Sequence, residues 1–401
     1  MTVSVRNLAK RTLSPCLAAL IVMAASCGGE PSGDGPVQER HDSAGVSVVV
    51  ATPASTHLDW TPQEVWRVGG EDEGPTSFTR LGQWNVATDE DGSVYVLDMP
   101  AFRVVVLTSG GEVVRTFGGE GGGPGEFQMP AGMGVRGDGT VWVYDFGKRS
   151  MVRFGSDGSL LDERRLDFLA WGGAVRPAAD GVFVEKYVPA GADTLSRSLH
   201  VVTEDTVGDL VSARFPRPAQ VPVPGCSVRI PVGRLFEPAL RWDGQGGRLV
   251  THVGPEYVVD VYDGGTHTLS LRLDVPLTPV TEADAARQYP DGFRLGLPGG
   301  PCTADGAAMA RAQGYASVLP AVSQLFVAPD GTVWVARGHF AGEEPPIDVW
   351  SAEGDFVGTL PPGTPIPVAV LPDGTHLVVE TDELDVPYLV AVRWVEGGGP
   401  V

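Results

Sequence analysis

Asp138-Gly139-Thr140-Val141-Trp142-Val143-Tyr144-Asp145 is one of three near-copies in this chain. Asp91-Gly92-Ser93-Val94-Tyr95-Val96-Leu97-Asp98 stands 47 residues earlier, and Asp330-Gly331-Thr332-Val333-Trp334-Val335-Ala336-Arg337 lies nearer the C-terminus. Asp-Gly is a strong hairpin signal because a two-residue turn needs positive φ, and the alternating β-branched and aromatic residues behind it suit a strand. Three weaker copies begin at Asp180-Gly181, Asp243-Gly244 and Asp373-Gly374, so six Asp-Gly turns are expected. Self-similarity at roughly 40 to 50 residues, with several strands per unit, predicts an all-β chain folded as a six-bladed β-propeller of four-stranded blades.

The second unit parses into strands at 131–136, 140–144, 150–154 and 160–166, with turns at Asp138-Gly139 and Asp157-Gly158. The first repeats it with Gly110-Gly111 in the later turn, and the third, around Asp180, is degenerate. The fourth has strands near 248–252, 257–262 and 267–273, and the last near 366–371, 376–380 and 388–395, one strand short. An open ring would expose strand edges, so an N-terminal strand must complete that sheet. Residues 64–69 are the preferred candidate and 46–51 the competing one. Between blades 4 and 5 an insertion, 275–322, carries helical signals. Thr281 followed by acids starts a helix over 281–288 that stops before Pro290, and a second is expected over 303–313.

The N-terminus reads as an export signal. Arg6, Lys10 and Arg11 precede an apolar run too short to span a bilayer, and Ala24-Ala25-Ser26-Cys27 forms a small-residue cleavage site. The segment resembles a bacterial lipoprotein signal, which implies that 1–26 is removed and Cys27 is lipidated; a plain secretory signal is the alternative. Residues 27–45, rich in Gly, Pro, Ser and charge, are expected to be a flexible tether, and 46–401 the propeller. Loss of Arg6, Lys10 and Arg11 moves the net charge from -21 to -24. Such a surface repels phosphate backbones and anionic headgroups, which argues against nucleic acid and leaves the N-terminal lipid as the membrane link. Cys16 leaves with the signal and Cys27 carries lipid, so Cys226 and Cys302 remain; in an exported protein that pair predicts a disulfide, stapling the connections on either side of blade 4.

Gly122-Gly123-Pro124-Gly125-Glu126-Phe127, Pro130-Ala131-Gly132-Met133-Gly134-Val135, Trp142 to Asp145, Arg149 and Phe154 together resemble the NHL-type repeat of six-bladed bacterial propeller lipoproteins. The resemblance implies a lipid-anchored protein of the bacterial cell envelope, on the periplasmic or outer-membrane side. Related propellers include metal-dependent lactonases and esterases, which hold a divalent cation with carboxylates and an Asn on inner strands. Asn85, Asp89 and Glu237 are the near candidates here, and they do not repeat at matching positions. There is no Gly-x-Ser-x-Gly elbow or His-Glu-x-x-His pair, and the seven His have no metal-ligand spacing, so neither metal nor cofactor is expected.

Other motifs read as scaffold. Gly118 to Gly125 lacks the Gly-Lys-Ser/Thr ending of a phosphate loop and fits an inter-blade turn. Asp89-Glu90-Asp91 lacks the distal Glu of a calcium loop, and Arg136-Gly137-Asp138 places its Asp in a repeat turn. Asp98 and Asp145, near Arg103 and Arg149, suit a repeated structural contact, and Trp84, Trp142, Trp334, Trp350 and Trp394 suit inter-blade packing. The long segments 186–197, 216–235, 275–322 and 338–345 share the face opposite the tight turns, where ligand contacts are expected. Candidates near the second strands' ends are Arg103, Arg149, Lys186, Tyr187, His252, Glu256, Arg337 and His339. The expectation is a monomeric, non-catalytic module for an unknown protein or small-molecule ligand, with a metal-dependent hydrolase or lyase of the lactonase kind as the alternative.

Overall fold

The computed structural model describes residues 37–52, 57–70, 74–298 and 300–397, and the chain is a six-bladed β-propeller. Antiparallel four-stranded blades, lettered a to d in chain order, span 86–118, 130–165, 170–216, 241–273 and 322–360. Blade 6 takes strands a to c from 369–396 and its d strand from Trp60–Gly69, which pairs antiparallel with Pro387–Glu396 and closes the ring. Of the two N-terminal candidates the preferred one therefore closes the last blade. Val46–Ala51 instead joins blade 4, parallel to Thr266–Leu273 at its outer edge.

The repeat motif explains each blade. Asp138 Oδ1 accepts the Thr140 amide at 2.9 Å, and Asp330 does the same for Thr332 at 2.9 Å and Asp373 for Thr375 at 3.0 Å. Each carboxylate holds the turn while the glycine after it takes φ of 77°, 88° and 81°. Behind the turn, alternation splits one strand between two cores. Val141 and Val143 pack with Leu97, Val104 and Val106 of blade 1, whereas Trp142 and Tyr144 pack with Val175, Val182 and Val184 of blade 3. The glycine loop before blade 2 delivers Phe127, fully buried, into the first of these cores; its amide donates to Gly119 at 2.7 Å.

Two expectations need correction. Asp243-Gly244 is not a turn: both lie inside Arg241–Gln245, strand a of blade 4, and the hairpin turn is Gly246-Gly247. The dipeptide was a poor guide there because Gly246 supplies positive φ, at 59°, one step later. The tether does not extend to 45 either, since Gln38–Ser43 forms a strand in register with Val46–Ala51 through an Ala44-Gly45 turn. Its side chains are polar and mostly exposed, so composition carried no burial signal; what fixes it is backbone pairing and Gln38, which donates to Asp355 at 2.8 Å and accepts the Phe356 amide at 2.8 Å. The expected signal peptide and Cys27 lie outside the described residues.

The long d-to-a connections flanking blade 4 build a small core of their own. The hairpin Ala219–Pro222 and Arg229–Val232 packs against α2 (Gly306–Gln313) around Val221, Val223 and Met309, and α1 (Glu282–Ala286) lies against α2. Thr281 caps α1 in a reciprocal capping box with Asp284, as the sequence predicts. The second helix starts later than expected, capped by Asp305, because Cys302–Ala304 pairs with Phe293–Leu295 as a strand. Cys226 and Cys302 are disulfide-bonded across this core.

Candidate functional site

The first strand of every blade contributes to the axis. Val86, Val135, Arg176, Asp243, Phe326 and Ala369 line a small cavity of about 30 Å³, room for little more than water. On one side of it a basin of about 930 Å³ is walled by a-to-b turns from all six blades. On the other side, toward the long connections, lies a mouth of about 490 Å³ lined by Gln83, Trp84, Ala174, Glu185, Arg197, Arg241, Trp242, Ser323 and Gln324. The midpoint is plugged. Arg176 Nε donates to Asp243 Oδ1 at 2.5 Å, Asp243 Oδ2 accepts the Val327 amide at 2.8 Å, and the Arg176 guanidinium sits 4.9 Å from the Trp84 ring centroid. Gln83 donates to Leu325 O at 2.6 Å and accepts from Gln324 at 3.1 Å, which tightens the plug. Burial pushes the Asp243 carboxyl pKa up, and the Arg176 cation pulls against it.

Several of the basin's charges are used internally. Asp138 and Asp330 hold their own turns, and Arg248 engages Asp263 together with the Gly331 and Ala352 carbonyls. At the mouth the balance differs. Glu185, 3% exposed, pairs through both oxygens with Arg197, and its Oε2 also accepts the Trp242 indole N–H at 3.0 Å. Arg241 opens strand a of blade 4 and is exposed to the mouth; its guanidinium has no hydrogen bond or ion pair among the described residues. The surrounding protein and the nearby Arg197 cation lower its pKa, and Glu185 opposes them. Trp84 lies beside Trp242, centroids 6.0 Å apart, and is only half-buried. The mouth thus combines an aromatic surface, amides and one surplus positive charge.

The eight residues singled out in the sequence are spread over blades 1 to 5, and none lines these three cavities. Arg103 binds buried Asp98 at 3.0 Å and Arg337 binds buried Asp348 at 2.7 Å, both within their own blades. His252 is buried, its Nδ1 2.9 Å from Val258 O, and Lys186 stands 5.1 Å from the Phe168 ring centroid. Tyr187 is half-buried, with its pKa raised by burial. Arg149, at φ 55°, Glu256 and His339 are exposed. The near metal candidates are engaged: Asn85 donates to Arg80 O and Leu97 O, Asp89 accepts from Ser93 and Tyr95, and Glu237 pairs with Arg234. Sequence reasoning missed Glu185, Arg197, Arg241 and Gln324, and took Trp84 as packing alone. The available signal was positional: Gln83-Trp84, Arg241-Trp242 and Ser323-Gln324 all sit where a long connection enters strand a.

A family model described as a 6-bladed beta-propeller matches residues 81–224. No curated protein matches the chain. Among solved structures it is similar to an exported protein from Bacteroides fragilis, at 13% identity over 86% of this chain and 99% of that one, with a TM-score of 0.50. A member of the DUF4221 family from Bacteroides vulgatus aligns at 8% identity over 85% and 99% of the two chains, with a TM-score of 0.48. A calcium-binding protein, regucalcin, from Agrobacterium tumefaciens aligns at 11% identity over 84% and 97%, with a TM-score of 0.39. At such identities the likeness is one of fold.

Proposed function

We propose that this chain is an exported, lipid-anchored ligand-binding propeller that works from the channel mouth beside its long connections. The observation carrying this reading is the mouth itself, a concave space within the size range of small-molecule sites. It is lined by convergent polar groups and Trp84, and it is closed at its floor by the Arg176–Asp243 pair. A plugged axis makes a receptor pocket and not a through-channel. The NHL-like motif and the lipoprotein-like signal support an envelope location, with Cys27 as the anchor.

The test fills the pocket. Ser323 lines the mouth, so Ser323→Trp should occlude the space; it also gives up the hydroxyl's bonds to the Ala336 and Arg337 carbonyls, and a thermal melt therefore checks that the variant is folded. Protein isolated from its native envelope is denatured and the released small molecules are identified by mass spectrometry. A molecule present in wild type and absent from a folded Ser323→Trp variant supports the reading. Identical contents overturn it, and a stoichiometric divalent cation retained with hydrolytic activity would favour the lactonase-like alternative.

A further inference from the structure

We infer that the mouth takes a small organic anion, a carboxylate carried on a flat apolar or aromatic body, with Arg241 as its counter-ion and Trp84 as its platform. This specifies the ligand class for the binding reading above and rests on it. Three charged side chains line the space: Glu185, Arg197 and Arg241. The Glu185 carboxylate is consumed by Arg197 and by the Trp242 indole, so it offers no open acceptor to a cationic ligand. The guanidinium of Arg197 is likewise committed to Glu185 and lies 5.6 Å from the Phe215 ring centroid. Arg241 is left with its full fork of N–H donors unmatched. That planar fork suits a carboxylate bidentately.

Arg241 is solvent-exposed but lines a concave mouth, so an anion seated against it displaces water from between the charges and meets a less screened field than it would on an open surface. The site is also a local exception in a chain whose net charge is -21. Trp84 supplies ring surface, and Gln324, whose amide nitrogen is spent on Gln83, keeps a carbonyl oxygen for a neutral donor on the ligand. The turn-lined basin differs: Arg248 there is saturated by Asp263 and two carbonyls, and Arg136, 4.0 Å from Asp180, shares the wall with Asp89, Glu90 and Asp138, so the basin has no surplus positive charge.

Benzoate and its neutral counterpart benzamide separate charge from shape. The mature domain is titrated with each by calorimetry, in wild type, Arg241→Gln and Trp84→Ala, with thermal melts confirming folding. Benzoate should bind about tenfold or more tighter than benzamide, Arg241→Gln should reduce benzoate to the benzamide level, and Trp84→Ala should weaken both. Equal binding of the two probes, or benzoate affinity unchanged in Arg241→Gln, overturns the anion assignment. So does a lack of saturable benzoate binding at millimolar concentration. A natural neutral molecule released from wild type and lost in Ser323→Trp would then show that the pocket reading stands without it.

Discussion

Asp145 illustrates how a surface-type residue becomes structural. Fully buried at the end of strand b, it accepts the amides of Gln128, Met129 and Lys148, so one carboxylate ties the incoming loop to the b-to-c turn. Such roles were legible because the motif recurs: Asp98 and Asp145 read as scaffold from spacing, although Asp98 pairs with Arg103 whereas Asp145 takes backbone amides and Arg149 stays exposed. The role of Asp243 was not legible, because its partner Arg176 lies 67 positions away in another blade. Both members of that pair are nearly inaccessible. Asp243→Asn should therefore leave an uncompensated guanidinium in the plug and cost about 3–5 kcal/mol, whereas Arg176→Met with Asp243→Leu should recover much of the loss. Urea midpoints of the three proteins decide this, and equal midpoints for wild type and the single variant would refute it. His252 and His376 give a second prediction. Burial lowers both pKa values, and each has a buried ring nitrogen without a hydrogen bond. The unfolded chain, with His near pKa 6.5, takes up protons first as pH falls, so stability should be flat above about 6.5 and decline below it. Comparing urea midpoints at about pH 7.5 and about pH 5.5 checks the sign, and His376→Gln should flatten the slope.

The strands of blades 1 and 2 were legible nearly residue by residue, since turn chemistry and two-residue alternation agree there. The third blade was harder: its hairpin 182–202 is long and its turn lacks the Asp-Gly-Thr signature, so local pattern was weak where tertiary pairing decides. The mouth was hidden for a related reason. Its residues come from blades 1, 3, 4 and 5, and no local period links Gln83, Glu185, Arg241 and Gln324. The disulfide was legible from cysteine arithmetic, and the two connections it joins from the strand order; its place relative to the mouth was not. It staples a core beside blade 4, and no residue of the insertion lines the mouth, so the staple acts as a clamp on the connections and not as a wall of the pocket. Closing a separation of 76 residues should stabilise the domain by about 4 kcal/mol on the chain-entropy model. Cys226→Ser should lower the thermal midpoint and expose a single thiol at Cys302 to labelling after unfolding, while benzoate or natural-ligand affinity stays unchanged. Readily labelled cysteines in the native oxidised protein would remove the staple.

The N-terminal hairpin gives the propeller a direction. Val46–Ala51 runs parallel to strand d of blade 4, which ends where the d-to-a connection begins, and Gln38–Ser43 runs back alongside it. The Thr52 amide therefore meets Val37 O at 3.0 Å, and the Asp274 amide meets Ala51 O at 2.9 Å, so the chain enters the domain on the face that carries the long connections and the mouth. If Cys27 bears lipid, the ten residues from Gly28 to Val37 can reach about 35 Å at full extension. The entry point then stays within that distance of the bilayer, and the acidic domain, repelled by anionic headgroups, is kept near it by the lipid alone. The pocket should face the membrane and the Asp-Gly turns should face away. Two exposed positions report on this: Glu256, in the b-to-c loop of blade 4, and Ser109, in the c-to-d turn of blade 1 on the opposite face. Fluorophores on Glu256→Cys and Ser109→Cys, in lipidated protein reconstituted into vesicles holding a headgroup quencher, should be quenched more strongly at 256. Equal quenching, or stronger quenching at 109, overturns the orientation, and unchanged detergent partitioning of Cys27→Ser removes the lipid on which it rests.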